Sequence, residues 1–194
     1  IQKVAAVMFA KMTNQYPNFF RKILRTQKKV NPKAMGLFAS SYTLLAHRHK
    51  DDQVANDRYK KKARECIAWL LENANRDYGG LGWGYPFDWQ ARVLIPKNTP
   101  TVVNSAIIGD AFWLDYKINS NLESLEVCKK ICDFFLIGLN HQKMEHGGTC
   151  LSYTPVDNFE VHNANLFGAN FLIRIGVHCN NRDYLSLGLA CVNF

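Results

Sequence analysis

The residues best able to do chemistry lie in two stretches of the chain. The first, Gly79 to Arg92, reads Gly-Gly-Leu-Gly-Trp-Gly-Tyr-Pro-Phe-Asp-Trp-Gln-Ala-Arg. Its glycines let the backbone turn tightly, and the rings of Trp83, Tyr85, Phe87 and Trp89 alternate with the polar side chains of Asp88, Gln90 and Arg92. A flat aromatic face beside planar hydrogen-bonding groups suits a sugar, which offers an apolar C–H face and a fringe of hydroxyls. The same rings also suit a prenyl chain or a cation, through their quadrupole. The second stretch, Cys150 to Asn163, supplies Tyr153, Asp157, Glu160, His162 and Asn163. A tyrosine and a histidine together can act as general acid and base on an acidic C–H or a glycosidic oxygen, and paired carboxylates can serve glycoside hydrolysis. On this reading Asp88, Tyr153 and His162 are the catalytic candidates. Trp83, Tyr85, Trp89, Gln90, Arg92, Asp157 and Asn163 contact the substrate. Plainer roles stand beside these: Trp83 and Phe87 as core, Asp88 as a turn residue, His162 as packing and Asn163 as a helix N-cap.

Repeats show what must position these stretches. Asn, four residues, Gly occurs at Asn31 to Gly36, Asn104 to Gly109 and Asn163 to Gly168, each time where an apolar helix is expected to begin. Such self-similarity marks an array. The glycines fit close helix packing better than chemistry. Between the helices a second repeat pairs Gly79, Gly80, Tyr85 and Pro86 with Gly147, Gly148, Tyr153 and Pro155. The pattern from Asn31 to about His49 is apolar on much of its circumference, as an interior helix requires. From Gln53 to Asn75 the apolar residues Ala63, Cys66, Ile67, Leu70, Leu71 and Ala74 make one stripe, so this helix is half exposed. A shift of 65 residues carries that stripe onto apolar positions of the helix from about Leu122 to Asn140. The apolar helix from Val103 to Tyr116, a third starting at Asn163, and a further partner near Asp183 complete the pattern. Before Asn31, Val4 to Met12 and Phe19 to Leu24 read as helical pieces. Short strands are expected around Arg92 to Ile95.

Alternating inner and outer helices with long loops at one end describe an all-α solenoid, which closes into an α/α toroid when about six hairpins are present. Here about three are expected, as a single domain over residues 1–194. The ends of the chain fall inside helical patterns, which suggests a piece of a longer protein.

Composition narrows the classes. With 47% hydrophobic and 21% charged residues, the chain is an ordinary globular sequence rather than a disordered one. Its net charge of +8 is concentrated at Arg21, Lys22, Arg25, Lys28, Lys29, Lys60, Lys61, Lys62 and Arg64. This is either a solvated outer face or a patch for acidic glycans, nucleotides or lipid head groups. No nucleic-acid motif accompanies it. Six cysteines form neither a CxxC pair nor a Cys/His zinc pattern, so no metal or cofactor is expected. Reduced, buried cysteines imply a cytoplasmic compartment, and no apolar run is long enough for a transmembrane segment.

The runs Asn31-Pro-Lys-Ala, Trp83-Gly-Tyr-Pro-Phe-Asp-Trp-Gln90, Asn98-Thr-Pro-Thr-Val-Val-Asn104, Ser152-Tyr-Thr-Pro-Val-Asp157 and Val161-His-Asn-Ala-Asn165 resemble a known family. It comprises the α/α-toroid domains of bacterial capsule, exopolysaccharide and lipopolysaccharide biosynthesis, related in architecture to six-hairpin glycosidases and the terpenoid cyclase toroid. The resemblance implies the fold, a carbohydrate or sugar-linked substrate, and partners among polysaccharide-assembly proteins or other domains of a longer chain. It supplies no catalytic residues. Diterpene and squalene cyclases carry an Asp-x-Asp-Asp motif, and prenyltransferase β-subunits a zinc site; both signals are missing. The leading reading is a carbohydrate-active enzyme of glycosidase, lyase or epimerase type, with a non-catalytic glycan-binding or scaffold toroid as the alternative and an isoprenoid-handling protein as the second alternative.

Overall fold

The computed structural model describes residues 2–145 and 147–194. These are mostly helical. The order is α1 (Gln2–Gln15), α2 (Pro17–Ile23), α3 (Pro32–Arg48), α4 (Gln53–Glu72), β1 (Trp89–Gln90), β2 (Leu94–Ile95), α5 (Val102–Asn119), α6 (Leu122–Asp133) with a π-turn over Phe134–Gly138, β3 (His141–Lys143), β4 (Thr149–Leu151), α7 (His162–Cys179) and α8 (Arg182–Val192).

Three helical hairpins stand in a row. Helix α3 packs on α5 and α5 on α7, while α4, α6 and α8 cover α3, α5 and α7 respectively. The expected layering is therefore present, and the 65-residue shift between outer helices holds in burial: Leu70 and Phe135 are both fully buried, Cys66 and Ile131 likewise lie in the core. Helix α3 is less enclosed than its sequence predicts. Leu37, Phe38 and Leu44 are each about half exposed, because α3 has a neighbour in the inner row on one side only.

The Asn repeat does not mark a repeated cap. Asn31 caps α3 by accepting from the Lys33 amide at 3.0 Å, with Pro32 at the first helical position, where its missing N–H costs nothing. In α5 the cap is Thr101, whose hydroxyl accepts from Asn104 N at 3.0 Å, so Asn104 lies inside the helix and fully buried. In α7 the cap position is Val161, and Asn163 is the second helical residue, exposed. The expectation of Asn163 as an N-cap is thus corrected. What the repeat does mark is the glycine. A Cβ on Gly36 would sit 2.9 Å from Ile108 of α5, one on Gly109 would sit 2.5 Å from the Phe171 ring of α7, and one on Gly168 would meet Val102 and Leu151 at 2.8 Å.

The loop repeat is structural as well. Gly79 and Gly147 both adopt positive φ, +75° and +86°, which L side chains adopt only with strain. Trp83 N donates to Ser105 Oγ of α5, and Leu151 N donates to Asn165 Oδ1 of α7, each at 3.0 Å. Helices α5 and α7 thus each hold, in their first turn, the loop that precedes them. Strand β2 falls within the expected segment; the β3–β4 hairpin, pairing His141 with Leu151, was not anticipated. All six cysteines are free thiols and five are buried. Burial pushes the Cys128 and Cys191 thiols up to about 12, so they are protonated and inert at neutral pH.

Replacing Gly109 by alanine is expected to cost about 1–3 kcal/mol through overpacking against Phe171, measured by denaturant unfolding. Gly147→Ala, where the new Cβ meets nothing within 4 Å, is expected to cost about 1 kcal/mol from backbone strain alone. A larger loss at Gly147 would mean that helix approach is not what the repeated glycine protects.

Candidate functional site

The two long loops meet at the starting end of α5. Thr101 N donates to Trp83 O at 3.0 Å and Val102 N donates to Tyr153 O at 3.1 Å. The helix start is thereby shared between the loops. In the first loop, Asp88 Oδ1 accepts from the Lys97 amide at 2.7 Å, and this bond spans the β1–β2 hairpin, whose pairs are Trp89 with Ile95 and Gln90 with Leu94. In the second, Asp157 accepts from the amides of Tyr153 at 3.1 Å and Phe159 at 2.9 Å and from the Thr154 hydroxyl at 2.5 Å. An Asp with this set of local bonds organises a turn.

Two residues of the expected binding set are taken by the scaffold. Trp83 is 1% exposed, its indole N–H donates to Leu70 O at 2.8 Å, and its ring stacks on Phe112. It is core and cannot face a ligand. Asp157 is 4% exposed with both carboxylate oxygens occupied, so it positions Tyr153 instead of touching a substrate. Sequence patterning could not show this, because both residues alternate with partners that do reach the surface.

Those partners form an aromatic shelf. Tyr85 stacks on Phe87 with centroids 5.5 Å apart and rings 19° from parallel, Trp89 meets Tyr85 edge-on at 6.1 Å, and Tyr153 meets Trp89 edge-on at 6.0 Å. The shelf therefore crosses from one loop to the other, and the two repeated tyrosines share it. Tyr85, Trp89 and Tyr153 are half-buried and Phe87 is exposed. Beside it, Ala91, Arg92, Phe159, Glu160 and Val161 line a cavity of about 300 Å³ with one cationic and one anionic wall. Gln90 is exposed at the hairpin, its amide donating to Ala91 O at 3.0 Å.

Among the described residues no hydrogen bond joins Asp88, Tyr153 and His162 to one another. His162 is exposed and its ring stacks on Phe194 at 4.7 Å. The Tyr153 phenol is pushed up to about 12, first by burial, then by the adjacent Tyr85 hydroxyl, which repels its charge and pairs with its neutral form, and by Asp157. A phenol held neutral donates a hydrogen bond or a proton; it is no base at pH 7.

Other groups escaped the sequence reading. A cavity of about 740 Å³ lies where the segment before α3 and the end of α4 meet the first loop, with Trp69, Glu72, Asn75, Lys29, Lys97 and Asn98 among its walls. On the α5–α7 face, Arg174 pairs with Asp110 and lies over the Trp113 and Phe171 rings, while His178 Nε2 is 2.9 Å from the Tyr116 hydroxyl. Asp110 and Arg174 are far apart in the chain, and no local pattern announces their pairing. Among the described residues no group of three or more His, Cys, Asp and Glu side chains gathers as a metal site, and no helix is long and apolar enough to cross a membrane. Neither a scan against protein-family models nor a search of curated proteins finds a match for this chain.

Because its folded value is raised above the ordinary 10, Tyr153 contributes stability that is complete below about pH 10 and is lost as pH rises through about 12. Phenolate absorbance on alkaline titration should show late-titrating tyrosines, Tyr184 also being raised by burial and its bond to Asp133, and Tyr153→Phe should remove one of them, with the wild type losing stability over that window more steeply than the variant. Equal curves would mean that the Tyr153 phenol is not buried against Tyr85 as described.

Proposed function

We propose that the chain is a carbohydrate-handling domain acting in the assembly or modification of bacterial surface polysaccharide, and that it holds its sugar on the shelf between loops 76–100 and 142–162. The observation that carries the reading is the continuity of Phe87, Tyr85, Trp89 and Tyr153 across two loops, with Gln90 on the first loop and the Arg92–Glu160 cavity alongside. A pyranose needs ring stacking together with several directional hydrogen bonds. An isoprenoid needs an apolar tunnel, and a wall bearing Arg92 and Glu160 does not supply one. The polysaccharide context, and the closure of three hairpins into part of an α/α toroid, rest on the resemblance of the Asn31, Trp83–Gln90, Asn98–Asn104 and Ser152–Asn165 runs. Six free thiols, five of them buried, support a cytoplasmic location.

Binding without turnover is the form of this function that the geometry favours. Asp88 and Asp157 hold turns, His162 leans on Phe194, and Tyr153 is a neutral donor. The groups that could reach a bound sugar are stacking rings, hydrogen-bond donors and, at one side, the exposed Glu160 carboxylate.

A glycan and sugar-nucleotide binding screen tests this. Trp89→Ala is expected to weaken binding at least about tenfold, as loss of a central aromatic anchor does, and Arg92→Ala is expected to weaken acidic sugars selectively. Unchanged binding in both variants, or selective capture of isoprenoid diphosphates, would reject the reading. Turnover that Tyr153→Phe abolishes while binding persists would replace binding by catalysis.

A further inference from the structure

The charge of this chain is divided sharply along its length. Residues 1–50 contain ten Lys or Arg and no Asp or Glu, and the remaining fourteen Lys and Arg are set against sixteen Asp and Glu. The excess positive charge therefore belongs to the N-terminal segment. In the same segment large apolar side chains are turned outward. On α1, Val4, Met8, Phe9 and Met12 fall on one face and are 50–64% exposed; on and just after α2, Phe19, Ile23 and Leu24 are 58–61% exposed. Helix α1 packs on α2, with Phe9 meeting Phe20 edge-on at 5.5 Å. Lys11, Arg21, Lys22, Arg25 and Lys28 are exposed, and none is in an ion pair among the described residues.

We infer that the α1–α2 hairpin docks on the surface of a bilayer containing anionic lipids. Half-exposed Val, Met, Phe and Ile side chains fit the acyl boundary beneath the head groups, and unpaired Lys and Arg fit the phosphates above it; this pairing is what an interfacial helix requires. A nucleic acid satisfies the charges and leaves the aliphatic side chains in water. A second copy docked through this hairpin would set Lys11, Arg21 and Lys22 against the same residues of its partner, with no acidic residue between them. The lipid surface alone answers both features at once.

The placement has a consequence for the candidate site. Arg25, Thr26, Gln27 and Lys29 line a cavity of about 610 Å³ together with Pro86 and Phe87, and Lys29 Nζ donates to Pro86 O at 2.8 Å. The basic segment is thus tied to the loop that carries the aromatic shelf, and docking brings that shelf close to the membrane surface. The inference does not depend on which ligand the shelf holds.

Flotation of the whole chain with phosphatidylcholine vesicles, with and without about one-third phosphatidylglycerol, tests it. Capture by the anionic vesicles only, weakened by raised salt, is expected. Arg21→Gln with Lys22→Gln should lower partitioning about thirtyfold, at the usual contribution of a surface Lys or Arg. Met8→Asn with Met12→Asn, at exposed positions that leave the circular dichroism unchanged, should lower it about tenfold. Failure of anionic vesicles to capture the protein would overturn the proposal, as would wild-type partitioning by the Met8/Met12 variant. So would tighter binding to an RNA or DNA oligonucleotide, or a dimer in sedimentation that this same variant dissolves. Glycan binding is read separately in each variant, so loss of vesicle capture with sugar binding intact rejects only the membrane inference.

Discussion

The close approach of the three inner helices is the constraint on which the rest of the molecule depends. Helix α3 reaches α5 at Gly36, α5 reaches α7 at Gly109, and α7 reaches the start of α5 and strand β4 at Gly168. A methyl group at any of these points would have to displace Ile108, the Phe171 ring or Val102 and Leu151. Interiors packed to crystal-like density yield little to such demands. Because the helices are this close, their first turns are close too, and those of α5 and α7 each hold a loop: Ser105 takes the amide of Trp83 and Asn165 takes the amide of Leu151. The meeting of the loops is thus inherited from the packing of the helices.

Once the loops are fixed, their polar residues divide into those that hold the backbone and those that remain available. Amides in irregular segments have no ladder partner, and Asp157 supplies acceptors to two part-buried ones in the second loop as Asp88 does for the exposed Lys97 amide in the first. The rings between these acceptors are left half-exposed and in mutual contact. Partial burial keeps the Tyr153 phenol neutral, which makes the shelf a surface of apolar faces and hydrogen-bond donors. Arg92 and Glu160 offer opposite charges at one side.

The N-terminal segment follows a different logic. The hairpins bury part of their apolar side chains in a shared core, whereas among the described residues α1 and α2 bury no large apolar side chain there and the segment carries an excess of positive charge. That combination is costly in water and favourable at an anionic interface. Lys29 couples the segment to the loop at Pro86, so the proposed sugar shelf and the proposed docking surface are neighbours.

Local pattern determined a good deal by itself. Helical periodicity placed α3 to α8 within a few residues, the repeated glycine foretold helix contact, and the paired Gly-Gly and Tyr positions foretold that the two loops are equivalent. These were legible because each rests on near neighbours in the chain: a stripe at helical spacing, or a glycine where a side chain will not fit. Only the tertiary structure decided which residue caps each helix, since Thr101 and Val161 displaced Asn104 and Asn163 from that position. It alone decided that Trp83 faces inward while Tyr85, two residues on, faces the shelf, and that Asp157 is a brace. It also created Trp89 against Tyr153 and Arg174 against Asp110. In each case the partner comes from a distant element, and a side chain's role is set by what the packed helices bring to it.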